Sequence, residues 1–307
     1  MAIYQIGGSR MISYKELLKK SAQERGNCAC LGLDPVQNAL PYNSGHIGED
    51  LKRFFSELFA QMVQRDLIPA AFKPNIGYYT LFDKPREGFF AGSQALGELF
   101  NLLEEHFPGI PVILDSKRGD IALSSANYCS EAFDLYRSAA VTVSPYMGSD
   151  SVAPFGERSV EGKGFYLLNR TSNPGAKDLQ GLVVVDQVDE KELYPLYMAV
   201  AHRIGHYNHE WGNVGAVVGA TNLRELEELA AYYAYREIPL LIPGVQSQGG
   251  SAAETLNILQ KVDYPLFLAR INSSSGITHP WKGGSVPSDW VAVSMTKLAN
   301  LIEECAL

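Results

Sequence analysis

Residues 111–128 read PVILDSKRGDIALSSANY, and the order of polarity along them decides the fold. Val112, Ile113 and Leu114 make a short apolar run that reads as a buried strand, and Ile121 onward reads as a helix. Between the two, Asp115, Lys117 and Asp120 fall within six residues. Charges at the end of a buried strand stabilise a fold poorly, because desolvation opposes them. They do build a local electric field. Alternation along an extended strand is expected to put Asp115 and Lys117 on one side, where their charges meet. Taken alone, the same Asp-x-Lys-x-x-Asp spacing also describes a solvated turn, so the remaining chain has to decide.

Outward from this stretch the pattern recurs. Short apolar runs occur in CACLGLDP (28–35), AAFKPNI (70–76), AAVTVSPYMG (139–148) and GFYLLNRTSNPG (164–175). They continue in NVGAVVGAT (213–221), PLLIPGVQSQGG (239–250) and PLFLARINSSSG (265–276). Helices are expected over about 13–21, 51–64, 93–106, 121–138, 190–210, 223–234 and 289–304. Continuous rather than alternating apolar strands fit a parallel sheet covered on both faces. With the opening stretch, the count is eight. The fold expected is α/β, a (β/α)8 TIM barrel over residues 1–307, with an N-terminal helical extension (1–25) and helical insertions. A doubly wound open sheet is the structural alternative.

Composition narrows the function classes. The 307 residues carry 26 Lys and Arg against 34 Asp and Glu, a net charge of −8. That balance argues against a nucleic-acid or anionic-membrane binder, though not against a local anion pocket. Cys28, Cys30, Cys129 and Cys305 form neither a disulfide framework nor a CxxC pair, so a reducing cytoplasmic setting is expected. Neither a signal-peptide core nor an apolar run of membrane-spanning length is present. His202, His206 and His209 share helical spacing and are read as a solvated face rather than metal ligands. Trp211, Trp281 and Trp290 are read as packing residues.

In a barrel of this type, functional groups gather at the carboxyl ends of the strands. Those ends carry Asp34, Lys73, Asn75, Asp115, Lys117, Thr171, Ser172 and Gln248. The turns Gln248-Gly249-Gly250-Ser251 and Ser273-Ser274-Ser275-Gly276 expose backbone N–H groups in the seventh and eighth positions, where barrels often hold a phosphate.

With these segments in order, the chain resembles the orotidine 5′-phosphate decarboxylase family, in its longer bacterial and protozoan form. The resemblance rests on LGLDP (31–35), FKPNIGYY (72–79), LDSKRGDI (114–121), TVSPYMGSDS (142–151) and NRTSNPGAKDLQ (169–180). VGAVVGAT (214–221) and IPGVQSQGG (242–250) complete it. It implies decarboxylation of orotidine 5′-phosphate to uridine 5′-phosphate, without metal or cofactor, on a homodimer with shared sites. Lys73, Asp115, Lys117 and Asp120 match the family's charged tetrad, with Asp120 entering the neighbouring subunit's site. Ile121 and Ser124 would accompany Asp120, Ser124 reaching the ribose. Asp34 and Lys73 would bind ribose, with Asn75 nearby. Ser172, Asn173 and Pro174 would hold the pyrimidine and begin a lid, and Gln248 would bridge base and phosphate. Lys117, between two carboxylates, is expected to stay an ammonium and to give its proton to the carbanion.

One position departs from the family. Ser275 stands where the resemblance implies a phosphate-binding arginine. Lys282 is a candidate surrogate, whereas Arg270 is read as a partner on the barrel's outer face. The rival readings are a metal-dependent phosphosugar decarboxylase, a Schiff-base aldolase using Lys73 or Lys117, and a catalytically silent nucleotide-binding protein.

Overall fold

The computed structural model describes residues 12–185, 192–245, 249–281 and 283–307. Gln248 and Lys282 lie outside the described residues, as do the start of the N-terminal extension and 190–191. In chain order the described strands are β1 (Ala29–Gly32), β2 (Ala71–Lys73), β3 (Ile113–Arg118), β4 (Ala140–Val143) and β5 (Gly164–Arg170). They continue with β6 (Val183–Val185), β7 (Leu193–Pro195), β8 (Val214–Val218), β9 (Leu240–Ile242) and β10 (Ala269–Ser273).

Eight of these make one parallel sheet in the order β2-β1-β10-β9-β8-β5-β4-β3. The two ends of that order meet. Phe72 bridges Val112 and Asn75 bridges Asp115, both parallel, and the Asp115 N–H donates to Pro74 O at 2.9 Å. The ring so formed is the expected barrel; an open doubly wound sheet would leave those edges apart. Central residues of the strands are buried through almost their whole length, as expected of strands covered on both sides.

The helices on the outside follow their apolar stripes. Ile47–Gln64 presents Leu51, Phe54, Phe55, Leu58, Phe59 and Met62, spaced three or four apart, to the core. Trp290 of the last helix (Trp290–Glu304) stacks on Phe54 at 4.9 Å, and Trp211 stacks on Tyr207 at 5.3 Å. The helix expected over 190–210 instead begins at Leu196, because β6 and β7 form an antiparallel hairpin before it. Short β-branched runs such as Val183–Val185 suit a hairpin as well as a loop, and the helical periodicity downstream masked them. His206 and His209 are exposed, but His202 is packed between Tyr194 and Tyr232, which corrects its placement on a solvated face.

The amino-terminal end of the barrel is plugged. Helix Tyr14–Arg25 starts with a capping box, Ser13 and Glu16 exchanging side-chain and backbone hydrogen bonds. Tyr14 enters below the strands and its hydroxyl donates to the Tyr166 hydroxyl at 3.0 Å. Only glycine fits at 164, where a Cβ would come within 2.1 Å of the Tyr14 ring. Arg270 is fully buried here rather than on the outer face. Its guanidinium donates to Leu18 O at 2.7 Å, Ala269 O at 2.6 Å and Phe267 O at 3.1 Å. Arg270 and Asn272 are two apart on β10 and so share a side; an apolar run covered on both faces does not reveal which side is the interior.

Candidate active site

At the opposite, carboxyl end of the strands lies a cavity of about 380 Å³. Its charged wall comes from β1, β2 and β3. Asp115 is the hub: Oδ2 accepts from Lys73 Nζ at 2.9 Å, and Oδ1 accepts from Lys117 Nζ at 2.6 Å and from Thr142 Oγ1 at 2.7 Å. Lys73 also lies 3.9 Å from Asp34. Asp34 in turn accepts the Asn75 backbone N–H at 3.0 Å and the Ser274 hydroxyl at 2.7 Å. The Ser274 bond requires β1 and the turn after β10 to approach closely. Glycine at 32 allows it, since a Cβ there would sit 2.5 Å from that of Ser274.

Burial and charge oppose each other at this hub. Burial works against the Lys73 ammonium, yet Asp115 and Asp34 overcome it and hold its pKa above the ordinary lysine value. Burial likewise works against the Asp115 carboxylate, and Lys73 and Lys117 together hold it below the usual carboxylate range. Both groups are therefore ionised at neutral pH. Beneath them, burial pushes the Cys30 thiol up to about 12, so it is no nucleophile.

Lys117 reaches Asp115 by a route other than strand alternation. The register jumps: Leu114 faces Val141, Arg118 faces Val143, and the three residues between face Thr142 alone. Lys117 sits in the bulge with φ of +47°, a left-handed conformation uncommon outside glycine. The Thr142 hydroxyl fixes this loop, accepting the Ser116 and Lys117 backbone N–H groups at 3.0 Å each while donating to Asp115.

The match to known proteins is extensive. Residues 57–262 fit the family model described as Orotidine 5′-phosphate decarboxylase / HUMPS family. A curated relative named orotidine 5′-phosphate decarboxylase, from Variovorax paradoxus, is 38% identical over 279 residues, covering 89% of this chain and 92% of its own. The chain belongs to the orotidine 5′-phosphate decarboxylase / HUMPS family. A solved OMP decarboxylase from Leishmania donovani superposes with a TM-score of 0.70 at 30% identity, covering 95% of this chain and 99% of that one. UMP synthase from the same organism gives 0.71 at 32% identity, with 94% of this chain matching 56% of that longer protein.

Set beside the decarboxylase family's pattern, the cavity collects Asp34, Lys73, Asn75, Asp115, Lys117, Thr171, Ser172, Asn173 and Ser275. Thr171 holds the loop after β5: its hydroxyl donates to Asn173 Oδ1 at 2.7 Å and accepts from Gln180 Nε2 at 2.8 Å. Pro174 lies outside the cavity, in a separate hollow beside that loop. Gly249 and Gly276 do not line it either, whereas Val245 and Ser275 do. Asp120, Ile121 and Ser124 also lie outside it within one chain. Asp120 accepts the N–H of Ile121 at 2.7 Å and has no ion pair among the described residues. Sequence reasoning missed Thr142, Tyr78, Asn272 and His279, all on the cavity wall. Thr142 could have been found, being the one hydroxyl in an otherwise apolar AVTV strand.

Proposed function

We propose that the protein decarboxylates orotidine 5′-phosphate to uridine 5′-phosphate and CO₂ in pyrimidine synthesis. The observation that carries this reading is the Lys73–Asp115–Lys117 chain of alternating charge at the cavity's edge. Breaking the bond between C6 and the carboxylate leaves an electron pair on C6 that the ring cannot delocalise. An ammonium beside C6 stabilises that charge and supplies the proton that quenches it. Lys117 has this role: its side chain is 46% exposed, whereas that of Lys73 is 5% exposed and held between Asp115 and Asp34. Lys117 then recovers a proton from water. Asp115 lies beside the departing carboxylate, where like charges about 4 Å apart cost on the order of 4 kcal/mol at an effective dielectric near 20. That repulsion is relieved when CO₂ leaves. Lys73 and Thr142 keep Asp115 ionised and aimed. Asp34 and Asn75 face the ribose, and Thr171, Ser172 and Asn173 the pyrimidine, with Pro174 and Gly249 in the loops around them and Gly276 in the short helix after β10.

The working form is a homodimer. Lys117 has a single carboxylate partner among the described residues of its own chain, and Asp120, lacking a cation, is the group to complete it from a second copy. Two exposed apolar residues follow Asp120: Ile121 is 55% exposed and Leu123 77%. Apolar surface beside an unpaired carboxylate supports a contact with a second copy here. Ile121 and Ser124 would cross with Asp120. The test is loss of the orotate chromophore's absorbance on adding orotidine 5′-phosphate, followed by mixing Lys117→Ala with Asp120→Ala protein. Each alone is expected to be inactive, and a 1:1 mixture to regain about a quarter of wild-type activity through hybrid dimers. No turnover by the wild type would overturn the activity; no recovery after demonstrated subunit exchange would overturn the shared site.

A further inference from the structure

A phosphomonoester entering this cavity brings a dianion that cannot rest against Asp34 or Asp115. Like charges at about 4 Å cost on the order of 4 kcal/mol, so the anion is driven to a wall free of carboxylates. Such a wall exists where β9 and β10 end, formed by Gly244, Val245, Asn272, Ser275 and His279. It has no guanidinium among the described residues. Arg270, on the same strand, is committed to three backbone carbonyls at the other end of the barrel. Ser274 is committed to Asp34.

Two side chains on this wall are suited to an anion. Asn272 is only 6% exposed, and its Oδ1 has no hydrogen-bond partner. Its carboxamide lines the cavity, and the NH₂ group is the donor it offers there, Oδ1 being shielded from solvent. His279, also buried, is the one titratable side chain on that wall among the described residues. Its Nδ1 lies 2.9 Å from Thr278 Oγ1, and the Thr278 hydroxyl donates to Ser274 O at 3.1 Å. Where that hydroxyl turns instead to Nδ1, Nε2 carries the ring's hydrogen and is a donor for an anion.

We propose that Asn272 and His279 bind the phosphate of the substrate, in place of the arginine that Ser275 replaces. This assignment rests on the proposed nucleotide substrate, but its test does not need turnover. Calorimetry with uridine 5′-phosphate and with uridine separates phosphate binding from base and ribose binding. The wild type is expected to favour the phosphorylated ligand strongly. Asn272→Asp, nearly isosteric, should weaken uridine 5′-phosphate about a hundredfold, and His279→Phe about tenfold, with uridine affinity unchanged in both. Adding Ser275→Arg to His279→Phe should restore the preference. An unaltered preference in Asn272→Asp overturns the proposal, as does an equal loss of both ligands, which would mark a structural role. If His279→Phe fails to fold, Asn272→Asp decides. Wild-type protein that discriminates through these residues yet does not decarboxylate would sink the proposed reaction and leave this assignment standing.

Discussion

The barrel buries a cation at each end, and the two are treated in opposite ways. Arg270, at the amino-terminal end, is surrounded by neutral carbonyls and sealed under helix Tyr14–Arg25. Lys73, at the carboxyl end, is paired with Asp115 and Asp34 and opens onto a cavity. Carbonyls take three hydrogen bonds from the guanidinium, leaving Nε buried without a partner, and add no second buried charge, which suits a part that never changes. Carboxylates create a field that a reacting molecule can feel, at the cost of desolvating three ionic groups. The first arrangement is a closure and the second a tool.

Three substitutions would break or sharpen this contrast. The largest effect is expected from Lys117→Ala: kcat should fall about 10⁴-fold or more while the unfolding transition stays within about 1 kcal/mol of wild type, because Lys117 is half-exposed. Retained turnover in a folded variant would remove the proton-donor role. Asp115→Asn comes next, leaving Lys73 buried beside a neutral amide. A loss of about 3 kcal/mol in chemical denaturation is expected, together with most activity. Its pH signature has a definite sign. Asp115 has a folded pKa below its unfolded value, near 3.9, so its stabilisation is complete above about pH 4 and is lost as pH falls through the folded value. The wild-type melting temperature should therefore drop on acidification more steeply than that of Asp115→Asn. Arg270→Met should cost about 2 kcal/mol by orphaning its carbonyls, with kcat/KM changed less than about threefold. A large activity loss there, with stability intact, would mean that the two ends are not independent.

The fold was legible because eight buried strands leave eight apolar runs, each punctuated by Gly, Pro or a charge. Asp34, Lys73, Asp115 and Lys117 were legible for the same reason, as charges where apolar strands stop. What was hidden depends on backbone geometry that no period encodes. The bulge that turns Lys117 toward Asp115 is stabilised from another strand, by Thr142, so alternation reached the right pairing for the wrong reason. Arg270 looked peripheral because a long cation in an apolar strand usually reaches solvent. Its carbonyl partner Leu18 lies 252 residues away in sequence. Asn272 and His279 carry no motif of their own, and only the cavity joins them to Asp115.

The left-handed turn at Lys117 has an evolutionary corollary. Holding a side chain other than glycine at that angle costs on the order of 1 kcal/mol, so glycine at 117 would make a sturdier barrel. Random drift toward greater robustness would thus favour erasing the ammonium, and the proposed proton transfer is what would keep lysine at a site where the backbone would rather have no side chain at all.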